Sequence, residues 1–363
     1  MSVYERKVRS PFRKPKWDIL MQADQDDGGS PATRTRRILS IDGGGIRGTE
    51  PAAFLAALEE GLDHPIGHYF DLIVGTSTGG ILAVGLGLGM RASELLQLYE
   101  TRGPVIFRQE RPLGWLGRRA QNASRIARQV WKPRHDATIL RRELEAVLGQ
   151  RRLGEARTRL VIPAWDADQR GVYVYKTAHH PRLKNDHRRP ALDAAVATAS
   201  APTIFARHRT VDDVGLLDGG VWANNPIGVA AVEAITLLAW APADLRILSL
   251  ACGEEIYLLP DEVGARHLGL SGTARLLMDG QSRGATGIAK LITGHPHERE
   301  AIFRYSTPMP DGFFGLDDTT KIGRLKGLGF SAARRAQPKL EPIFFRTPAA
   351  PFHPFHQLQD QAA

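Results

Sequence analysis

One serine in this chain is set up for nucleophilic work. Ser77 stands in Gly75-Thr76-Ser77-Thr78-Gly79, a G-x-S-x-G run. The run follows a strand candidate, Leu72-Ile73-Val74, and opens a Gly-punctuated apolar stretch, Gly79 to Met90, that reads as a buried helix. Glycines two places on either side permit a strained strand-to-helix turn that thrusts the hydroxyl outward. The following helix aims its positive end at the alkoxide that develops there. A serine hydroxyl is a weak nucleophile and needs a partner to take its proton. Asp218 is the candidate, at the end of the strand candidate Gly215 to Leu217 and followed by Gly219 and Gly220. Taken singly, each run has a bland reading as a tight turn.

A third run, Asp42-Gly43-Gly44-Gly45-Ile46-Arg47-Gly48, lies between a strand candidate, Arg37 to Ile41, and a helix from Thr49 to Leu62. Consecutive glycines at such a junction leave N–H groups free to cradle a phosphate or to serve as an oxyanion hole. The nucleotide reading fits poorly. Gly43, Gly45 and Gly48 satisfy G-x-G-x-x-G, but the acid expected about 20 residues on falls at a helix end, as Asp63. No Walker-type Gly-Lys-Ser/Thr is present.

The elements that must hold these groups alternate. Strand candidates at Arg159 to Ala164, Val172 to Lys176 and Leu245 to Ala251 are interleaved with helix candidates at Thr138 to Leu148, Ala191 to Ala199 and Ile227 to Trp240. Thr49 is the expected N-cap of its helix, and Leu140, Leu144, Val147 and Leu148 are expected to face inward. Such alternation argues for a mostly parallel sheet covered on both faces.

The Gly-rich loop, the serine elbow, Ala199-Ser200-Ala201-Pro202 and Asp218-Gly219-Gly220 occur in the order found in the patatin-like phospholipase family, which this chain resembles over about residues 37 to 255. The resemblance implies a three-layer α/β/α patatin-like fold and a lipid acyl hydrolase with a Ser77–Asp218 dyad. Gly43, Gly44 and Gly45 would then supply oxyanion donors. Arg47 would sit near a lipid phosphate or serve the loop's own structure, and Gly75, Gly79, Gly219 and Gly220 would support the motifs. The substrate implied is membrane phospholipid, with no cofactor and no metal. The layout also looks like bacterial effectors of anti-phage signalling, in which a cyclic oligonucleotide activates membrane degradation. The rival enzyme reading is a triad completed by His267, His295 or His297, and the rival outside enzymes is an inactive lipid- or nucleotide-binding module.

Composition bounds these readings. The chain has 363 residues, 42% hydrophobic and 24% charged, as in ordinary globular proteins. Its net charge of +9 favours anionic partners. Nucleic acid is the less favoured of these, since no recognised module accompanies the charge. Basic residues crowd Arg102 to Arg134 among Phe107, Trp115, Leu116 and Trp131, which suits either an interfacial segment or a solvated excursion. Cys252 is the only cysteine, so no internal disulfide forms, and its apolar context reads as a buried thiol. Neither a secretory signal nor a membrane span is recognisable, which gives a cytoplasmic protein, peripheral at the inner membrane surface when active. His179, His180, His187, His295 and His297 lack companions at metal spacing. The expected organisation is a basic extension and linker at 1–36, a catalytic domain at 37–346 with its motifs in 37–255, and a Pro-rich tail at 347–363. Oligomeric state is left open.

Overall fold

The strands carry near-continuous apolar runs, as in a sheet buried on both faces, with successive side chains pointing to opposite sides. In the computed structural model, which describes residues 34–108, 132–256, 261, 265–295, 300–310 and 312–358, with only the backbone at 265–268, 270 and 271, that pattern separates into two cores. From β1 (Arg36–Ile41), Leu39 and Ile41 enter one core while Ile38 enters the other. From β2 (Leu72–Gly75), Ile73 enters the first while Leu72 and Val74 enter the second. β3 (Arg159–Asp166) and β7 (Leu245–Leu250) divide in the same way. Helices cover both faces, giving the three-layer α/β/α arrangement.

The sheet is mixed and mostly parallel. β3, β2, β1, β7 and β9 (Ile302–Tyr305) form a parallel run of five in that spatial order. Antiparallel strands extend it: β4 (Gly171–Lys176) and β6 (Gly215–Asp218) both pair with β3, and β5 (His208–Arg209) pairs with β6. A separate parallel pair joins β8 (Glu254–Ile256) to β10 (Pro308–Pro310). Register sets the chemistry. Leu72 faces Arg159, so five places further on Ser77 is level with Ala164, and Ala164 is the residue that Asp218 faces. An antiparallel β6 thus delivers its last residue to the carboxyl ends of the parallel strands, where ligands bind in open α/β sheets.

The first core holds α1 (Thr49–Glu59), α2 (Thr78–Gly87), α3 (Ala92–Ile106), α4 (Ala137–Leu148) and α5 (Ala191–Ala199). The second is covered by α6 (Ile227–Val232) and by α7 (Ala265–Ile292), which is broken at Gly269. Leu140, Leu144 and Leu148 are buried as their spacing predicts, with Val147 half-buried, and Asp136 caps α4 by accepting the Thr138 N–H at 2.8 Å. Thr49 is not an N-cap. A 3₁₀ turn, Gly45–Gly48, runs straight into α1, and the Thr49 hydroxyl donates back to the Ile46 carbonyl at 2.7 Å.

The expected helix from Ile227 to Trp240 is shorter. α6 gives way to a π-helical turn, Glu233–Leu237, that carries Glu233 inward to Lys176 Nζ at 2.6 Å and His179 Nε2 at 2.8 Å. Of the basic segment Arg102 to Arg134, residues 109–131 lie outside the described residues. The Pro-rich stretch from Thr347 has no helix or strand through 358, yet it is tied to the domain. Ala349 N–H donates to His68 O and Phe355 N–H to Ala178 O, each at 2.8 Å. From Thr35 on the chain clusters as one unit.

α8 (Ile322–Leu340) packs on α1, so α1 is buried on nearly every side rather than on one face. Their closest approach is at Gly329, where an added Cβ would stand 2.3 Å from the Glu50 carbonyl and 2.8 Å from Ala53 Cβ. Gly329→Ala should therefore force the helices apart and destabilise by about 1–3 kcal/mol. A lower urea midpoint with an unchanged slope is the expected result.

Candidate active site

The turn after β2 holds Ser77 at φ 55° and ψ −125°, a conformation that costs a non-glycine residue about 1–3 kcal/mol. Side chains on neighbouring elements fix it. Thr198 on α5 accepts the Ser77 N–H at 3.0 Å and donates its own hydroxyl to Pro163 O at 2.6 Å. The Thr76 hydroxyl donates to Ala223 O at 2.6 Å. The elbow glycines are steric necessities. A Cβ on Gly75 would lie 2.1 Å from Gly79 O, and one on Gly79 would lie 2.3 Å from Ile41 O.

Asp218 arrives on β6 and is 4% exposed. Its carboxylate accepts the Gly220 N–H at 2.6 Å and lies close enough to the Ser77 side chain for that hydroxyl to lower its pKa. Burial pushes its pKa up to about 7, against the lowering pull of those two donors. Gly219 packs on Pro163, leaving no room for a side chain: an added Cβ would stand 2.3 Å from Pro163 O. The alcohol and the carboxylate, far apart in sequence, are thus brought together.

Of the three expected oxyanion donors, Gly43 does not have a free N–H. It donates to Asn224 O at 2.9 Å, because the loop is tied there to the turn that follows Asp218. Gly44 and Gly45 line the same cavity as Ser77, and among the described residues no protein acceptor takes their N–H groups. Gly45 has φ 58°, a left-handed conformation that favours glycine. Thr78 starts α2, so its N–H joins these two as a third free donor beside the nucleophile. Arg47 serves the loop's own structure here, pairing with Glu255 Oε1 at 3.1 Å. Cys252 is buried, donates to Asp42 O at 3.2 Å, and has its thiol pKa raised by that burial.

Several supporting residues escaped the sequence reading. Arg304 on β9 grips Asp42 with both guanidinium nitrogens, at 2.6 and 3.3 Å, and also donates to Ser249 Oγ at 2.7 Å. Gln281 on α7 accepts the Asn224 N–H at 3.0 Å. Ser282 and Thr286 take the Asn225 amide at 3.1 and 3.0 Å. The Gly-rich loop and the Asp218 turn are therefore clamped to the part of the chain that lies beyond the motifs. Only the tandem Asn224-Asn225 after Asp-Gly-Gly hinted at this.

Ser77 and Asp218 line a cavity of about 1150 Å³. Its apolar lining includes Ile81, Leu98, Ile106, Phe107, Leu140 and Phe205, which suits an acyl chain. Its charged lining includes Arg275, Arg283, Lys290 and Arg304 together with Asp42, Glu254, Glu255 and Asp279. No histidine lines it among the described residues. His295, a triad candidate, instead accepts the Ala301 and Ile302 N–H groups at 3.2 and 3.1 Å; the His267 side chain and His297 lie outside the described residues. No cluster of metal-ligating side chains occurs among the described residues.

Residues 39–231 match the family model described as patatin-like phospholipase. The chain belongs to the patatin-like phospholipase family. Among its relatives is a cGAMP-activated phospholipase of Vibrio cholerae, 33% identical over 259 residues, which are 67% of this chain and 72% of that one. A cGAMP-activated phospholipase of Pseudomonas aeruginosa is 36% identical over 222 residues, 60% of this chain and 62% of that one. Patatin-like protein 2 of Oryza sativa is 38% identical over 217 residues, 52% of this chain and 50% of that one. The family match covers α1, the elbow and Asp218, but neither Arg304 nor any of α7.

The raised carboxyl of this patatin-like site has a signed consequence for stability. Below about pH 4 Asp218 is protonated in both folded and unfolded chains and has no effect. Between there and about pH 7 the unfolded chain releases a proton that the folded chain retains, so stability falls as pH rises. Asp218→Asn removes that loss. Its melting temperature should exceed that of the wild type at pH 8, with the gap narrowing steadily toward pH 4; a constant gap would contradict the raised pKa.

Proposed function

We propose that the chain hydrolyses carboxylic esters of membrane phospholipids through Ser77 and Asp218. The reading is carried by a buried carboxylate beside the hydroxyl of a strained elbow serine, inside a cavity with apolar and charged lining. Asp218 accepts the Ser77 proton as Oγ attacks the ester carbonyl. The tetrahedral oxyanion is received by the N–H groups of Gly44, Gly45 and Thr78, with the N-terminus of α2 behind them. Protonated Asp218 then gives its proton to the departing lysophospholipid alcohol as the C–O bond breaks. Water, deprotonated by Asp218, attacks the acyl-enzyme; the bond from Ser77 Oγ to the acyl carbon breaks, the fatty acid leaves, and Asp218 returns the proton to Oγ. A base with a pKa near 7 is matched to this work at neutral pH.

By the same reading a cyclic oligonucleotide switches the enzyme on, as the names of the Vibrio and Pseudomonas relatives describe for them. Its role is then that of an anti-phage effector acting on the membrane. Among the described residues no helix is long and apolar enough to cross a bilayer, and the protein acts from the membrane surface. Among the described residues no histidine lines the cavity to complete a triad.

Lipid profiling of anionic vesicles, with and without cGAMP, tests both parts. The wild type should release fatty acid and lysophospholipid, faster with cGAMP. Ser77→Ala should release neither, and removing one oxyanion donor elsewhere costs on the order of 10²–10³ in turnover. Fatty acid release by Ser77→Ala at the wild-type rate would overturn the assignment. An unchanged rate with cGAMP would overturn the activation.

A further inference from the structure

The face of α7 that points away from the domain is apolar, and nothing described covers it. Leu276, Leu277, Ile288 and Leu291 are 37, 68, 54 and 69% exposed, and Leu277 also lines the cavity. At 3.6 residues per turn they share a sector of about 120° with Gly280, Gly284 and Gly287. From 272 to 292 no charged side chain falls in that sector. Single exposed leucines are ordinary on a surface, but four large apolar groups on one helix sector mark a docking face.

The opposite face of the same helix is fully engaged. Ala289 is buried in the second core, and Gln281 and Ser282 hold the Asn224-Asn225 turn. Between the two faces runs a cationic edge, Arg275, Arg283 and Lys290, which is also the rim of the cavity that holds Ser77. Arg275 is paired with the largely buried Glu255 at 3.0 Å, whereas Arg283, 77% exposed, meets Glu254 at 2.7 Å in a solvated surface pair, so the exposed positive charge of the edge is that of Arg283 and Lys290. Asp279 is the only acid between 265 and 292, and it faces the cavity.

We propose that this face of α7 docks on a bilayer rich in anionic phospholipid, with Ile288 and Leu291 entering the acyl boundary and Arg283 and Lys290 meeting headgroup phosphates. An apolar stripe with a basic flank is the pattern of interfacial helices. Charge complementarity and continuity with the cavity mouth favour lipid over a second copy of the chain, because a self-interface would set two basic edges side by side. Docking there would open the cavity toward the lipid it consumes. The inference rests on the hydrolase reading above and adds the surface through which substrate enters.

Vesicle sedimentation in the Ser77→Ala background tests it, using equal parts phosphatidylglycerol and phosphatidylethanolamine, with phosphatidylcholine for comparison. Ile288→Ser combined with Leu291→Ser should weaken binding about tenfold. Ile288→Trp, with a ring that seeks the membrane interface, should tighten it. Phosphatidylcholine should bind more weakly than the anionic mixture. Undiminished binding by the double variant overturns the proposal. So does light scattering that shows a wild-type dimer dissociated by the double variant, which would make the face a self-interface. Turnover of a soluble butyrate ester with cGAMP present, in chains that retain Ser77, keeps the two readings apart. Its absence in the wild type counts against the hydrolase. Its persistence at the wild-type rate in the double variant, alongside unaltered vesicle binding, counts against the docking face alone.

Discussion

The approach of the Asp218 carboxylate to the Ser77 hydroxyl is the constraint on which the rest of the molecule depends. Each partner is costly to hold. The serine occupies a positive-φ backbone conformation that costs any non-glycine residue, and the carboxylate is buried with no cation among the groups that shift its pKa. Both are imposed by the scaffold. β2 ends in an elbow braced by Thr198 and Thr76, while β6 runs antiparallel so that its last residue meets the same end of the sheet. A site that destabilises its own protein in this way is the usual accompaniment of poised chemistry.

A second layer of organisation binds the Gly-rich loop to the later part of the chain. Asp42 is held by Arg304, and Gly43 by the Asn224 carbonyl, whose turn is in turn held by Gln281 and Ser282 of α7. Burial raises the Asp42 pKa despite Arg304, and the bidentate geometry and the further bond to Ser249 offset part of that desolvation. The helix that borders the cavity therefore also steadies the loops that do the chemistry. Position and support come from one element.

Much of this was legible in the sequence where the information is local. Alternating apolar residues give the strands, and the elbow and Asp-Gly-Gly announce themselves because steric demands confine glycine to those positions. Contacts made across the fold left no such trace. Thr198 lies 121 residues from Ser77, and Arg304 lies 262 from Asp42. Gly43 read as an oxyanion donor because its spacing cannot reveal that Asn224 already takes its N–H. The π-helical turn at Glu233 was equally hidden, since it answers to a buried ion pair with Lys176 rather than to helix periodicity. α8 raised no signal through motifs, although its burial of α1 completes one layer.

The most direct measurement of the central claim is the rate at which a fluorophosphonate captures Ser77 as a function of pH. With Asp218 as the base, that rate in the wild type rises with pH to a plateau and is half-maximal near pH 7. In Asp218→Asn it is slow and has no step there. An unchanged profile in Asp218→Asn, or a step abolished instead by replacing a histidine, would contradict the account.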